Sequence, residues 1–242
     1  LTRSTTNGAS WGSTVQVIDV GTGGTRPYPR YVTNHRDRID MIYTDGHPRN
    51  ENNSIYHLYY RGETFYKSNG TAVKTLAQLP LNHGAISDPN SGDKGTTVYH
   101  FSTANWTAGQ GVNDWIPNGR AWTWDIHYGP NGDPVCAFQV QVDDAASSDS
   151  SVIKDRIYYY YARWTGSSWQ RRFIAQAGRP LYAAEDDYGG GMSLDPEDPR
   201  IVYISSNAAN PFALSSLTQV PLAANERYDV WRGVTLDLSL IH

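Results

Sequence analysis

The feature that most constrains this chain is a pattern that occurs three times: a hydrophobic strand, a turn, then a second strand that ends at Trp or Arg near a Gly turn. The copies occupy residues 38–66, 134–169 and 200–233, and the second strand of the first two is rich in tyrosine. A strand-turn-strand unit leaves an apolar sheet face that only a neighbouring unit can cover, so repetition at this spacing predicts an all-β chain built as a β-propeller of four-stranded antiparallel blades. Such a fold rings a central channel with loops, and function is expected at the channel mouth.

The units are read as residues 27–80, 119–178 and 186–235 of a single domain, with a Gly/Asn/Ser-rich insertion at 81–118. In the first unit the inner strand is expected at 30–33, the second at 39–43, the third at 54–60 and the outer one at 64–67. Ile39, Met41 and Tyr43 alternate with Asp40, Ile42 and Thr44, the period of a strand. The insertion carries one short expected strand at 96–101. The second unit runs from 121–128 through a turn at 129–133 to 134–142, and an acidic, serine-rich loop follows at 143–155. The third opens on 188–194 and a tight turn at 195–199. No window holds a capped 3.6-residue period, so no helix is expected. Three units and a fraction are fewer than the four to eight blades of closed propellers. A partial propeller is therefore expected, with its open edges covered by self-association as a homo-oligomer.

Composition narrows the partners. Aromatic residues make up 12% of the chain, with 17 Tyr and 8 Trp, and charged residues only 18%; polar, aromatic β surfaces of this kind suit carbohydrate. A net charge of −4 and a pI near 5.9 give no basic footprint for nucleic acid. No run of 18 apolar residues marks a membrane span. The single Cys136 sits in the apolar run PVCAF and reads as a small buried hydrophobe.

Several side chains can carry chemistry. Gly46 and Pro48 fix the backbone around His47 in the loop DGHPRN at 45–50, which suits a placed imidazole or a well-formed surface turn. His57 and His127 lie on strands, where a satisfied structural histidine is the default. His35, His83 and His100 have no obvious partner in sequence. The histidine spacing does not match a tetrahedral zinc site, and no metal or nucleotide cofactor is expected, a structural calcium ion included. Trp122, Trp124, Tyr158, Tyr160 and Tyr182 can stack on sugars or fill interfaces, whereas Tyr188, just before three glycines, is expected to face the channel. Arg120, Arg156 and Arg163 can each hold a carboxylate through a bidentate pair or bridge loops at the surface.

Four segments carry a resemblance: residues 43–71, AWTWDI with GPNGDPVCAF, YYYARWTGSSW at 159–169, and YGGGMSLDPEDPRIVYIS at 188–205. Together they resemble the BNR-4 repeat family over roughly residues 31–231, and DGHPRN with NSIYHLYY is the most specific part. Residues 4–11 also resemble the S-x-D-x-G-x-T-W turn of sialidase-type propellers, with Thr6 in place of Asp. The BNR-4 family includes seven-bladed polysaccharide lyases, the ulvan lyases among them, so the resemblance implies β-elimination on an acidic polysaccharide in a secreted or periplasmic setting. It implies His47 and Tyr188 as the acid/base pair, with Arg49, Asn50, Arg120, Trp122, Arg156, Arg163 and Tyr182 as substrate-binding candidates. Two alternatives stay open: a rhamnosidase- or sialidase-like glycoside hydrolase drawing carboxylates from Asp45, Asp125, Glu185 and Asp187, and a non-catalytic glycan-binding propeller.

Overall fold

The computed structural model describes residues 1–22, 24–101, 119–142, 156–178, 188–208 and 229–235, with the side chains of Val142, Arg156 and 229–235 excepted. Among these residues the fold is all-β, and its only helical element is the 3-10 turn Leu76–Gln78.

The first sheet joins β2 (Pro29–Thr33), β3 (Arg38–Thr44), β4 (Ile55–Arg61), β5 (Thr64–Lys67) and β6 (Ala72–Thr75) in chain order. β1 (Ile18–Asp19) and β7 (Leu81–Asn82) form a separate parallel pair. β8 (Thr96–Tyr99) also pairs with β4. Ile55–His57 of β4 face β8, while Leu58–Arg61 face β5, so two strands share one edge. This sheet therefore has six strands rather than the expected four, because β8, which falls within the expected insertion, pairs with it; 102–118 lie outside the described residues. The second sheet is the regular four-stranded meander β9 (Arg120–Tyr128), β10 (Pro134–Val142), β11 (Arg156–Trp164) and β12 (Trp169–Gly178). The third pairs β13 (Met192–Leu194), β14 (Ile201–Ser206) and β15 (Asp229–Thr235).

Strand alternation explains how the sheets stack. On β11, Tyr158, Tyr160 and Ala162 pack with Ile42, Ile55, Val98 and Tyr99 of the first sheet. The intervening Ile157, Tyr159 and Tyr161 pack with Met192, Leu194, Val202 and Ile204 of the third. The four consecutive tyrosines thus serve two cores. Tyr160 stacks on Phe138 with ring centres 5.3 Å apart, a pair worth about 0.5–1.5 kcal/mol beyond its buried area. Cys136 is fully buried in the first of these interfaces, as expected.

The first strands of the sheets lie side by side, with β9 against β2 on one side and β13 on the other. This is the propeller-like arrangement of successive blades. The opposite face of the first sheet carries Met41, Tyr43, Tyr56, Leu58 and Phe65, partly covered by Val17 and Ile18. A groove of about 440 Å³ stays open beside it, and Tyr31 (59% exposed) and Ile39 (42%) line it. The 4–11 turn forms as its sequence suggests. Thr6 Oγ1 accepts the Ser10 N–H at 2.8 Å, and the flanking segments pair through Gly12 N–H to the Arg3 carbonyl at 2.9 Å.

A polar network crosses the interface between the first two sheets. Asp40, fully buried, receives Nε and Nη2 of Arg38, both at 2.6 Å. His57 Nε2 lies 2.8 Å from Asp40 Oδ1, and the Tyr128 hydroxyl donates to Oδ2 at 2.5 Å. His57 Nδ1 meets Ser68 Oγ at 2.8 Å, and that oxygen also accepts Trp169 Nε1–H at 2.9 Å. Burial alone would push the Asp40 carboxyl up, yet the hydrogen bonds from His57, Arg38 and Tyr128 hold it below the usual carboxylate range. His57 is the satisfied strand histidine the sequence suggested.

Replacing Asp40 by Ala strands the buried His57 and the part-buried Arg38 and Tyr128 and is expected to cost about 3–5 kcal/mol, read as a drop in urea midpoint; a change below 1 kcal/mol would contradict it. Acid should destabilise the fold as well. Burial holds the His57 imidazole below its usual value of about 6.5, against the pull of Asp40. Since the unfolded chain then takes up the proton first, this contribution is complete above that value and is lost as the pH falls below it. Thermal melts should show a midpoint that is flat above pH ~7 and falls toward pH ~5.

Candidate functional site

The starts of the three first strands and the β3–β4 loop meet at one end of the sheets. Tyr28 immediately precedes β2, Trp122 is in the first turn of the ladder on β9, and Tyr188 lies just ahead of β13. His47 projects from the β3–β4 loop between them. Its ring meets Tyr28 edge to face at 5.0 Å and Trp122 at 5.5 Å. Trp122 in turn packs on Tyr28 at 4.5 Å and on Tyr188 at 4.6 Å. Trp122, only 5% exposed, is the hub, and the three rings around it are half-buried.

The loop is built to hold this geometry. Asp45 Oδ2 accepts the Ser54 N–H at 2.6 Å and closes the loop's base. The Gly46 carbonyl receives Thr44 Oγ1–H at 2.8 Å and Asn53 Nδ2–H at 3.1 Å. Asn53 Oδ1 accepts the Ala121 N–H at 2.5 Å, which ties the loop to the start of β9. The Arg49 N–H donates to His47 Nδ1 at 3.1 Å. In the neutral ring the proton therefore sits on Nε2, and that nitrogen acts as a hydrogen-bond donor.

Six of the residues singled out from sequence share this end of the molecule: His47, Arg49, Asn50, Arg120, Trp122 and Tyr188. Arg49 and Asn50 are exposed, and Arg120 Nη1 donates to the Arg49 carbonyl at 3.2 Å. Tyr188 is packed against Trp122. The glycines after it are demanded by space: a Cβ on Gly189 would sit 2.7 Å from Gln139 Oε1, and Gly191 adopts φ +101° against the Trp124 ring. Arg163 is not brought here. It lies at the opposite end of β11, paired with Val135, and its Nη2 donates to Gln170 Oε1 at 3.2 Å. The backbone of Arg156 is at the near end, opposite Val142, with its side chain outside the described residues; Tyr182, Glu185 and Asp187 also lie outside them.

Sequence reasoning missed Tyr28 and Arg26. Arg26 Nη2 donates to the Tyr28 hydroxyl at 2.7 Å, and its guanidinium lies 5.1 Å from that ring's centre. The signal was an aromatic residue at the start of each first strand, which Trp122 and Tyr188 already displayed. His83 and His100 also have partners that no local spacing announces. His83 Nε2 lies 2.5 Å from the buried Asp45 Oδ1, and His100 Nδ1 meets Ser54 Oγ at 2.8 Å. Of the carboxylates considered for hydrolysis, Asp45 is thus committed below the loop. Asp125 Oδ2 accepts Ser193 Oγ–H at 3.0 Å and the Leu194 N–H at 2.9 Å, joining the second sheet to the third. Among the described residues no group of three His, Cys, Asp or Glu is arranged to hold a metal ion.

At the opposite end of the first strands, a polar groove of about 920 Å³ runs past Arg38, Arg61, His127 and Tyr128. Its charges are largely engaged: Arg61 Nε pairs with Asp37 at 2.7 Å, and Arg38 with Asp40.

Comparison with known proteins agrees with this architecture. Two solved structures of an ulvan lyase from polysaccharide lyase family PL25, one of them bound to -[GlcA(1-4)Rha3S]-, are similar to this chain at 14% identity and a TM-score of 0.50. Each covers 86% of the chain, and the chain spans 44% of their length. No curated protein matches. The family model for BNR repeat-containing proteins of the BNR-4 type matches residues 2–177, well over half of the sequence; the chain belongs to the BNR repeat-containing family.

Proposed function

We propose that this chain cleaves uronic-acid-containing polysaccharide, ulvan-like in character, by β-elimination at the His47–Trp122–Tyr188 cluster. The observation that carries the reading is the contact of Trp122 with both His47 and Tyr188. Two groups able to handle protons thereby flank one buried ring, with Arg49 and Arg120 at the same end. The likeness to ulvan lyase structures supports the substrate class.

The steps follow from the residues. A guanidinium paired with the uronate carboxylate makes the C5 proton more acidic, and arginine does this through two parallel hydrogen bonds. The Tyr188 oxygen, as phenolate, takes that proton. The C5–H electron pair forms the C4=C5 bond, the C4–O bond breaks, and the leaving oxygen recovers the proton from the Tyr188 phenol. His47 supports the charge that develops on the carboxylate by donating from Nε2, since Nδ1 is occupied by the Arg49 N–H. Preorganised donors of this kind contribute about 10²–10³-fold each, and positioned proton transfer about 10²–10⁴-fold.

A glycan-binding role without turnover is the second reading, favoured by the aromatic surface of Tyr28 and Tyr188 about Trp122. Incubation with ulvan and other uronate-rich polysaccharides separates the two. The lyase reading expects near-ultraviolet absorbance to rise as the unsaturated uronate forms. Both Tyr188→Phe and His47→Ala should lower the rate by at least about 100-fold with thermal midpoint unchanged. Binding without any rise would overturn the lyase reading and leave the binding one.

The open face of the first sheet bears on assembly. Tyr31 and Ile39 continue the same apolar alternation that the other sheet faces bury against a neighbour, and exposed surfaces of this kind mark interfaces. We infer that a second copy of the chain covers it. Light scattering should give a dimer or larger species that Ile39→Glu dissociates; a wild-type monomer would contradict the inference.

A further inference from the structure

His47 is held by two residues that the sequence did not single out. Its backbone N–H donates to Thr25 Oγ1 at 2.7 Å, and the Thr25 hydroxyl in turn donates to Glu51 Oε1. The same carboxylate oxygen accepts the Thr25 N–H at 3.1 Å. With its proton committed to Glu51, the hydroxyl presents a lone pair to His47. The His47 carbonyl closes the arrangement from the other side by accepting the Asn50 and Glu51 N–H groups at 2.9 and 3.2 Å. Gly46 has no room for a side chain, because a Cβ there would collide with Thr25 Oγ1 and lie 2.8 Å from Glu51 Oε1.

The second oxygen of Glu51 is buried and has no hydrogen-bond partner among the described residues. Stability alone does not favour such a carboxylate, since an unpaired buried oxygen is costly and a neutral residue of the same size would avoid that cost. Its feature of use is the first oxygen, which orients Thr25.

We propose that Thr25 and Glu51 are positioning residues for His47: they fix the loop so that Nδ1 stays on the Arg49 N–H and the ring proton stays on Nε2. The inference deepens the catalytic reading of this site, but its primary test does not depend on turnover. Long-range nitrogen–proton NMR of the His47 imidazole reports which nitrogen carries the proton. Wild type should show the Nε2–H tautomer alone. Thr25→Val, nearly the same shape without the hydroxyl, should give a mixture of tautomers, Glu51→Gln a smaller admixture, and Thr25→Ser the wild-type spectrum.

Where the chain turns over uronate polysaccharide, Thr25→Val should lower kcat by up to about 100-fold, the scale on which a misplaced group loses rate, with KM within about twofold and recovery in Thr25→Ser. A single Nε2–H tautomer in both Thr25→Val and Glu51→Gln overturns the proposal. Absence of turnover in wild type with the tautomer shift intact sinks the lyase reading alone and leaves the positioning role standing.

Discussion

Everything in this molecule depends on the second sheet being buried on both faces. From Ile157 to Ala162 every side chain of β11 is buried, the even-numbered ones against the first sheet and the odd-numbered ones against the third. A strand in that position has no solvent face to relieve a misfit, so a one-residue slip in register would exchange two different cores. The register therefore fixes how the sheets stack, and the stacking places the starts of β2, β9 and β13 together. The site is a consequence of that convergence.

Two polar devices at opposite ends of the first strands follow from the same stacking. At one end the Asp40 carboxylate collects donors from Arg38, His57 and Tyr128, and so ties β3 and β4 to β9 across an apolar interface. A buried carboxylate is tolerable there because its charge is answered from three directions. At the other end the polar atoms are backbone and loop groups arranged about Trp122. There the imidazole and phenol rings stay half-buried and the arginines partly exposed, which leaves them able to meet a ligand.

The architecture was legible in the sequence wherever alternation was strong. The pattern of Ile39, Met41 and Tyr43 against Asp40 and Ile42 reads directly as two faces, and the β9–β12 meander follows its turns. What was not legible came from pairing between distant segments. Leu81–Asn82 binds Ile18–Asp19, and Thr96–Tyr99 takes half an edge of β4, because hydrogen bonding to a free strand edge leaves little trace in side-chain pattern. The site shows the same division. His47 stood out through its flanking Gly and Pro, and Tyr188 through its glycines, whereas Tyr28, Thr25 and Glu51 matter only by where the fold brings them. Arg163 shows the converse: its residue type was suitable, but it lies at the other end of β11, seven positions from Arg156, about 23 Å of extended strand.

The most direct test of this account is a structure of the chain soaked with a uronate-containing oligosaccharide. A sugar ring is expected beside the Trp122 cluster, its carboxylate against Arg49 or Arg120 and within hydrogen-bond reach of His47 Nε2. A saccharide bound instead in the groove past Arg38, Arg61 and His127, with the Trp122 cluster empty, would contradict it.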